Sequence, residues 1–365
     1  MTREAEVLLS LLKIAFGKEV VRSLPNDVNW DEVYALSLRQ NVIALTWSEE
    51  LSQYSESLGI DDDLKYKWIG QQTVVVMKNR SYWGSAQRLS RLWMEKGLKP
   101  VVLKGLSYAV LYPNPLQRRC CDLDSFLFDR WEEGNKIVEK TGVKVSRSYY
   151  KDSSFYFGNI FVENHRYCSP IRGDKSRKSY ERYLRSLLVE RPLDKISGTE
   201  FYTPPPLFNV LFFFSHAYNH FMHEGGIQLR HVCDLGVLIN TYQNGKVDLG
   251  MGSADFWKTV LEKCEDYGLL KFSTSLIQVS KMVCGTEIPF VCPKNEEADN
   301  AMLEEILYPT CVQVEFSKGW HTRKLLLKSI LQSRWKFKLY SERTMISSLF
   351  GSLWAFVFEK KPELE

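Results

Sequence analysis

The sequence predicts an α+β fold, a small mixed sheet flanked by N-terminal and C-terminal helical domains. Three observations point there. A helical pattern runs without proline from Asp62 to Gly97, residues 143–167 are crowded with β-branched and aromatic side chains, and apolar residues return to helical spacing beyond Pro204-Pro-Pro206. Of 365 residues, 44% are hydrophobic and 25% charged, a composition that excludes a disordered chain. The changes of character divide the chain at 1–97, 98–195 and 196–365.

Each element has a local reason. Leu8, Leu9, Leu11, Leu12 and Phe16 make the apolar stripe of a first helix, and Asn29 is suited to cap a helix that begins at Trp30. Gly97 ends the long helix, with Pro100 close behind. Residues 101–103 then read as a short buried strand, 106–112 as a helix ended by Pro113, 123–128 as a second strand, and 131–140 as a helix closed by Gly142. Phe155, Tyr156, Phe157, Ile160, Phe161 and Val162 supply further strand. Helical periodicity covers 207–223, 227–240, 256–267 and 271–283, and 300–358 is expected to be helical too.

Charge and cysteine usage exclude several function classes. A formal charge of +4 is too small to make the whole chain a nucleic-acid binder. Basic residues are instead concentrated, with seven Lys/Arg against three acids in 172–191 and eight against Glu342 alone in 318–343. The second segment is interleaved with Trp320, Trp335, Phe337 and Tyr340, which suits either a nucleic-acid contact or a solvated helix face. The 8 cysteines contain no CxxC pair, so neither a zinc framework nor a disulfide scaffold is expected, and reduced thiols in a cytoplasmic protein are. The first residues lack the basic-then-apolar order of a signal peptide. No apolar run of about 18 residues predicts a membrane span.

The chemistry concentrates in Val101–Ser107 and Arg118–Phe128, where an apolar strand enters a Gly turn and a second strand carries Asp122 and Asp124. Side chains alternate along a strand, so the two carboxylates share a face within about 7 Å of each other. Like charges that close call for a cation between them. Hard oxygen ligands favour Mg²⁺ or Mn²⁺ completed by substrate phosphates, the skeleton of a nucleotidyl-transfer site. A solvated strand face is the plain alternative. A third carboxylate must come from a neighbouring strand; Glu163 lies on a β-rich stretch, whereas Asp152 and Asp174 lie in turn-like surroundings.

These residues resemble the polymerase-β-like nucleotidyltransferase superfamily, and more narrowly its bacterial group of uncharacterised nucleotidyltransferases. The likeness is carried by Leu103-Lys104-Gly105, Tyr112-Pro113, Arg118 four residues before Asp122, Asp124, Glu163-Asn164-His165, and Leu229-Arg230 with Asp234, over roughly residues 95–245. The resemblance implies that Asp122, Asp124 and Glu163 are catalytic and hold two Mg²⁺ (or Mn²⁺) ions, with Glu163 activating the acceptor. It implies that Gly105 lets the backbone approach the phosphates, that Ser107 donates to them, and that Lys104 and Arg118 neutralise their charge. Where the superfamily has Gly-Gly or Gly-Ser, this chain has Gly105-Leu106, with Ser107 one position late.

A second cluster comprises His216, His220 and His223, at spacings that share one helix face, with Arg230, His231 and Asp234 beyond. No cysteine or carboxylate completes a tight zinc site. A cleft-facing role for His165, His216, His220, Arg230 and Asp234 is the sharper reading, and core histidines with an Arg230–Asp234 ion pair the plainer one. The sequence therefore leads to an expected ATP-binding enzyme. It would move a nucleoside monophosphate, most simply AMP from ATP, to a hydroxyl of a small molecule, protein or RNA. A non-catalytic nucleotide-binding module and an RNA-end-modifying transferase are the alternatives.

Overall fold

A computed structural model describes residues 1–147, 150–171, 175–191, 193–223, 225–245, 247–310 and 333–342. Helix α1 (Arg3–Ala15) is capped by Thr2 and buries Val7, Leu8, Leu9, Leu11 and Leu12. Asn29 caps α2 (Trp30–Arg39) by accepting the N–H of Glu32. Two short helices, α3 (Ile43–Thr46) and α4 (Glu49–Tyr54), lead to α5 (Asp62–Met94), which is 33 residues long and capped by Asp61. Gly97, at φ +73°, takes the left-handed conformation just beyond it.

The sheet segment follows as β1 (Val101–Val102), α6 (Leu106–Ala109), β2 (Asp122–Phe126), α7 (Trp131–Glu139), β3 (Asp152–Phe157), β4 (Ile160–His165) and α8 (Lys175–Val189). The strand order is β1-β2-β4-β3; β2 and β4 are parallel, and the other two pairings are antiparallel. The second strand ends before the expected residue 128 because Phe128 adopts φ +55°, which an extended strand cannot include. One sheet face packs on α7. Asn164 Nδ2 donates to Asn135 Oδ1 (2.8 Å) and Trp131 O (2.9 Å), and Ser153 Oγ donates to the same Asn135 oxygen (2.8 Å). Gly134 allows this approach, since a Cβ there would sit 2.1 Å from Leu127 Cδ1.

The remaining helices among the described residues are α9 (Pro206–His223), α10 (Leu229–Gln243), α11 (Ser253–Asp266), α12 (Leu270–Cys284), α13 (Glu296–Leu307) and α14 (Arg334–Tyr340). Residues 311–332 and 343–358 of the expected C-terminal helix lie outside the described residues, as does most of the basic aromatic segment. Helix α14 is anchored by Lys336, buried 2.7 Å from Glu305. Gln40 ties the N-terminal helices to these C-terminal ones. Its Nε2 donates to Ile306 O (2.8 Å) and its Oε1 accepts the N–H of Leu229 (2.9 Å). One apolar core accordingly runs from Leu8, Leu36 and Trp68 to Phe212, Leu235, Phe272 and Met302, and a second holds Leu89 and Trp93 of α5 against Leu123 and Val162 of the sheet. No helix among the described residues is long and apolar enough to cross a membrane.

Candidate active site

Register sets the site. Asp124 of β2 lies directly opposite Glu163 of β4, and Ser125 opposite Asn164. Neighbours in register share a face, so Asp122, Asp124, Glu163 and His165 all project from the side of the sheet opposite α7. Asp152, opposite His165 on β3, belongs to this face too. Asp174 lies outside the described residues.

Lys104, from the turn after β1, reaches between the paired aspartates. Its Nζ lies 3.0 Å from Asp122 Oδ2 and 3.2 Å from Asp124 Oδ2. Burial works against the ammonium, but Asp124 and Asp122 overcome it and raise its pKa above the usual lysine value. His165 Nε2 lies 2.9 Å from Asp124 Oδ1 and 3.5 Å from Glu163 Oε2, while its Nδ1 faces the carbonyl of Tyr167 at 3.3 Å. Every one of these partners can only accept, so the ring is an imidazolium that donates on both sides. Burial and Lys151 oppose that charge, yet the hydrogen bonds to Asp124 and Glu163 raise the His165 pKa to about 9. The same contacts act in reverse on the carboxyls. Burial would raise Asp124, but Lys104 and His165 hold it below its ordinary value, and His165 does the same for Glu163.

The donor set fits a divalent cation. Atoms of Asp124, Glu163 and His165 cluster within 4.8 Å of one another, but the protonated His165 has no lone pair to give, so the ligands on offer are the carboxylate oxygens. Asp124 is fully buried, and its Oδ2 has no hydrogen-bond partner despite the nearby ammonium. A buried carboxylate oxygen balanced only by an ammonium, beside two more exposed carboxylates, is suited to Mg²⁺ or Mn²⁺. Asp122 and Glu163 are each about one-third exposed and open the cluster to solvent.

The other expected residues have distinct placements. Gly105 takes φ +76°, so the turn needs glycine for its conformation, while a Cβ there would meet Asp122 O only at an ordinary 3.5 Å contact. Tyr82 of α5 donates to that same carbonyl at 2.9 Å. Ser107 is buried with an unpartnered Oγ. Arg118 does not join the carboxylate cluster. It grips Asp234 of α10 in a bidentate pair, Nε to Oδ1 at 2.7 Å and Nη2 to Oδ2 at 2.8 Å, and Tyr112 also donates to Oδ1 (2.8 Å). Both members of the pair are buried, so it fastens the sheet segment to the C-terminal helices. Arg230, the expected helical partner of Asp234, stands 4.0 Å away. His216 and His220 meet through their Nε2 atoms at 3.3 Å, and His216 shares a narrow gap with Lys104. His223 points elsewhere, to a cavity of about 330 Å³ shared with Arg177 and Glu265.

Sequence reasoning missed Glu181. This fully buried carboxylate on α8 accepts the N–H groups of Cys168 (3.0 Å) and Ser169 (2.7 Å) and pairs with Arg185 (2.9 Å). Arg185 in turn donates to Arg166 O, so the two residues pin the segment that leaves β4 directly after His165. The available signal was an acid with Arg four residues later, on an otherwise basic helix.

The site is thus a small mixed sheet with clustered carboxylates on one face and a Gly turn and a lysine beside them. The model of a family described as uncharacterised nucleotidyltransferases matches residues 26–284, well over half of the chain. The protein belongs to that family, and it is a nucleotidyltransferase enzyme in that general sense. No curated protein and no solved structure matches the chain.

Proposed function

We propose that the chain transfers a nucleoside monophosphate, most simply AMP from ATP, to a hydroxyl of an acceptor. The observation that carries this is the placement of Asp122, Asp124 and Glu163 on one face, with the buried Asp124 Oδ2 facing only an ammonium, that of Lys104 at 3.2 Å, which a divalent cation could replace. These three residues would hold Mg²⁺ or Mn²⁺, which supplies charge neutralisation on the triphosphate and polarisation of the reacting oxygens. The catalytic unit is residues 98–195, with the helical domains at 1–97 and 196–365 enclosing the acceptor. Seven cysteines among the described residues are free thiols, which suits a cytoplasmic setting.

The chain's own groups divide the remaining work. His165 holds Asp124 and Glu163 in fixed orientation and keeps both ionised. Glu163, the more exposed of the two, accepts the hydrogen of the acceptor hydroxyl. Lys104 neutralises the acidic pair in the free enzyme and has a flexible stem that can follow a phosphate. Gly105 keeps the turn low enough for the nucleotide to approach. Arg118 acts through Asp234 as a positioning residue for β2.

Two measurements test this reading: titration calorimetry with ATP and Mg²⁺, and pyrophosphate release in the presence of cell extract as acceptor source. Wild-type protein should bind ATP and release pyrophosphate, and Asp124→Asn should lose about 100-fold or more of that release while remaining folded. Binding without turnover across extracts would reduce the protein to a nucleotide-binding module. Full release by Asp124→Asn would refute the site.

A further inference from the structure

Between Lys104 and the α9–α10 pair lies a narrow gap lined by several cationic hydrogen-bond donors. Its walls include Lys104, His216, Arg230, His231 and Asp234. His231 Nδ1 accepts the backbone N–H of Gln228 at 3.0 Å, so that nitrogen is bare and the neutral ring carries its proton on Nε2. Arg230 Nη2 lies 3.2 Å from this Nε2. A guanidinium only donates, so two N–H groups face each other with no acceptor between them. Arg230 Nε is also buried without a partner. The nearest carboxylate does not relieve them. Asp234 is engaged by Arg118 and Tyr112, and its 4.0 Å separation from Arg230 Nη1 is beyond a hydrogen bond.

The surrounding charge agrees with this geometry. Burial, then Lys104, pushes His216 well below the usual histidine pKa; burial, then Arg230, does the same to His231. The one carboxylate among the residues lining this gap, Asp234, is already taken up by Arg118 and Tyr112, and a phosphate group carries several free anionic oxygens.

We propose that this gap holds the phosphate groups that depart as pyrophosphate, with Arg230, His231 and Lys104 donating to their oxygens. The proposal rests on the nucleotidyl-transfer reading and adds to it the helical-domain residues that grip the leaving group. In the step itself the acceptor oxygen forms a bond to the α-phosphorus and the bond from that phosphorus to the bridging oxygen breaks. The electron pair leaves with pyrophosphate, and the hydroxyl proton passes to Glu163. The negative charge that develops on the leaving group falls where the unpaired donors converge. The gap holds about 20 Å³, so the long side chains of Lys104 and Arg230 draw back as the phosphates enter. Lys104 would thereby exchange Asp122 and Asp124 for phosphate, linking nucleotide entry to release of the carboxylates.

Calorimetric titration of the full chain with inorganic pyrophosphate, and separately with AMP, tests the assignment. Wild-type protein should bind pyrophosphate, Arg230→Gln should weaken that binding about ten-fold or more, and Arg230→Lys should fall between, since charge survives without the planar fork. AMP affinity should be unchanged in both variants. Pyrophosphate affinity unaltered in both variants, or no pyrophosphate binding by the wild type, would overturn the proposal. Equal losses for AMP and pyrophosphate would move the site to the α-phosphate and also overturn it. Because transfer activity is read separately, a wild-type enzyme that transfers nucleotide while Arg230→Gln binds pyrophosphate normally removes the grip alone. The broader reading falls only if transfer itself is absent.

Discussion

The Arg118–Asp234 pair offers the sharpest energetic prediction. Both side chains are 2% exposed, both carboxylate oxygens are engaged at 2.7–2.8 Å, and the pair links the segment before β2 to α10. Replacing Asp234 with Ala leaves a guanidinium buried without its counter-ion and strips Tyr112 of its acceptor. Removing one member of such a buried pair costs about 3–5 kcal/mol. With a urea dependence of about 3 kcal/mol per molar, that lowers the unfolding midpoint by at least about 1 M. Replacing both residues at once, Arg118→Met with Asp234→Leu, should recover part of the loss, because no charge is then stranded. Urea unfolding followed by tryptophan fluorescence reads all three proteins. A shift of less than about 0.3 M for Asp234→Ala, or a double variant no more stable than Asp234→Ala, would refute the view that this pair fastens the two parts.

Two further substitutions follow from the same reasoning. Lys104→Met removes the only ammonium lying between Asp122 and Asp124 among the described residues, so the metal-free protein should melt at a lower temperature. Added Mn²⁺ should then raise its melting temperature more than it raises that of the wild type. Thermal denaturation with and without Mn²⁺ checks this, and equal metal-induced shifts would contradict it. Glu181→Gln weakens four hydrogen bonds behind β4, including the ion pair to Arg185, and should destabilise the fold by about 2–3 kcal/mol in chemical denaturation. A loss below about 0.5 kcal/mol would show that the segment after His165 is held by other contacts.

The parts of the site legible in the sequence are those governed by local period. Alternation along a strand places Asp122 beside Asp124 whatever the rest of the fold does, and a positive-φ glycine beside Lys104 could be expected from the strand–turn pattern. Glu163 stood out as a carboxylate on a strongly β stretch, but its position opposite Asp124 depends on the register of two parallel strands 39 residues apart, which local spacing does not encode. Arg118 shows the limit most clearly. Its partner lies 116 residues away, whereas the helical spacing of Arg230 and Asp234 advertised an ion pair that is only 4.0 Å close. The double engagement of His165 was hidden for the same reason, because its chemistry comes from the acceptors packed around it. The helices were easier to read, since caps such as Asn29 and stops such as Gly97 act within a few residues. The shared core of the first and last helices was not, because it is assembled from contacts such as Gln40 with Ile306 and Leu229.

The proposed chemistry requires the carboxylates of β2 and β4 to cage divalent ions beneath a polyphosphate. Anomalous diffraction from crystals containing Mn²⁺ and a non-hydrolysable ATP analogue addresses it directly. Mn²⁺ peaks are expected about 2.1 Å from oxygens of Asp122, Asp124 and Glu163, with Lys104 moved off the aspartates toward phosphate. Mn²⁺ located away from those three residues, with Lys104 still bridging Asp122 and Asp124 while nucleotide is bound, would contradict it.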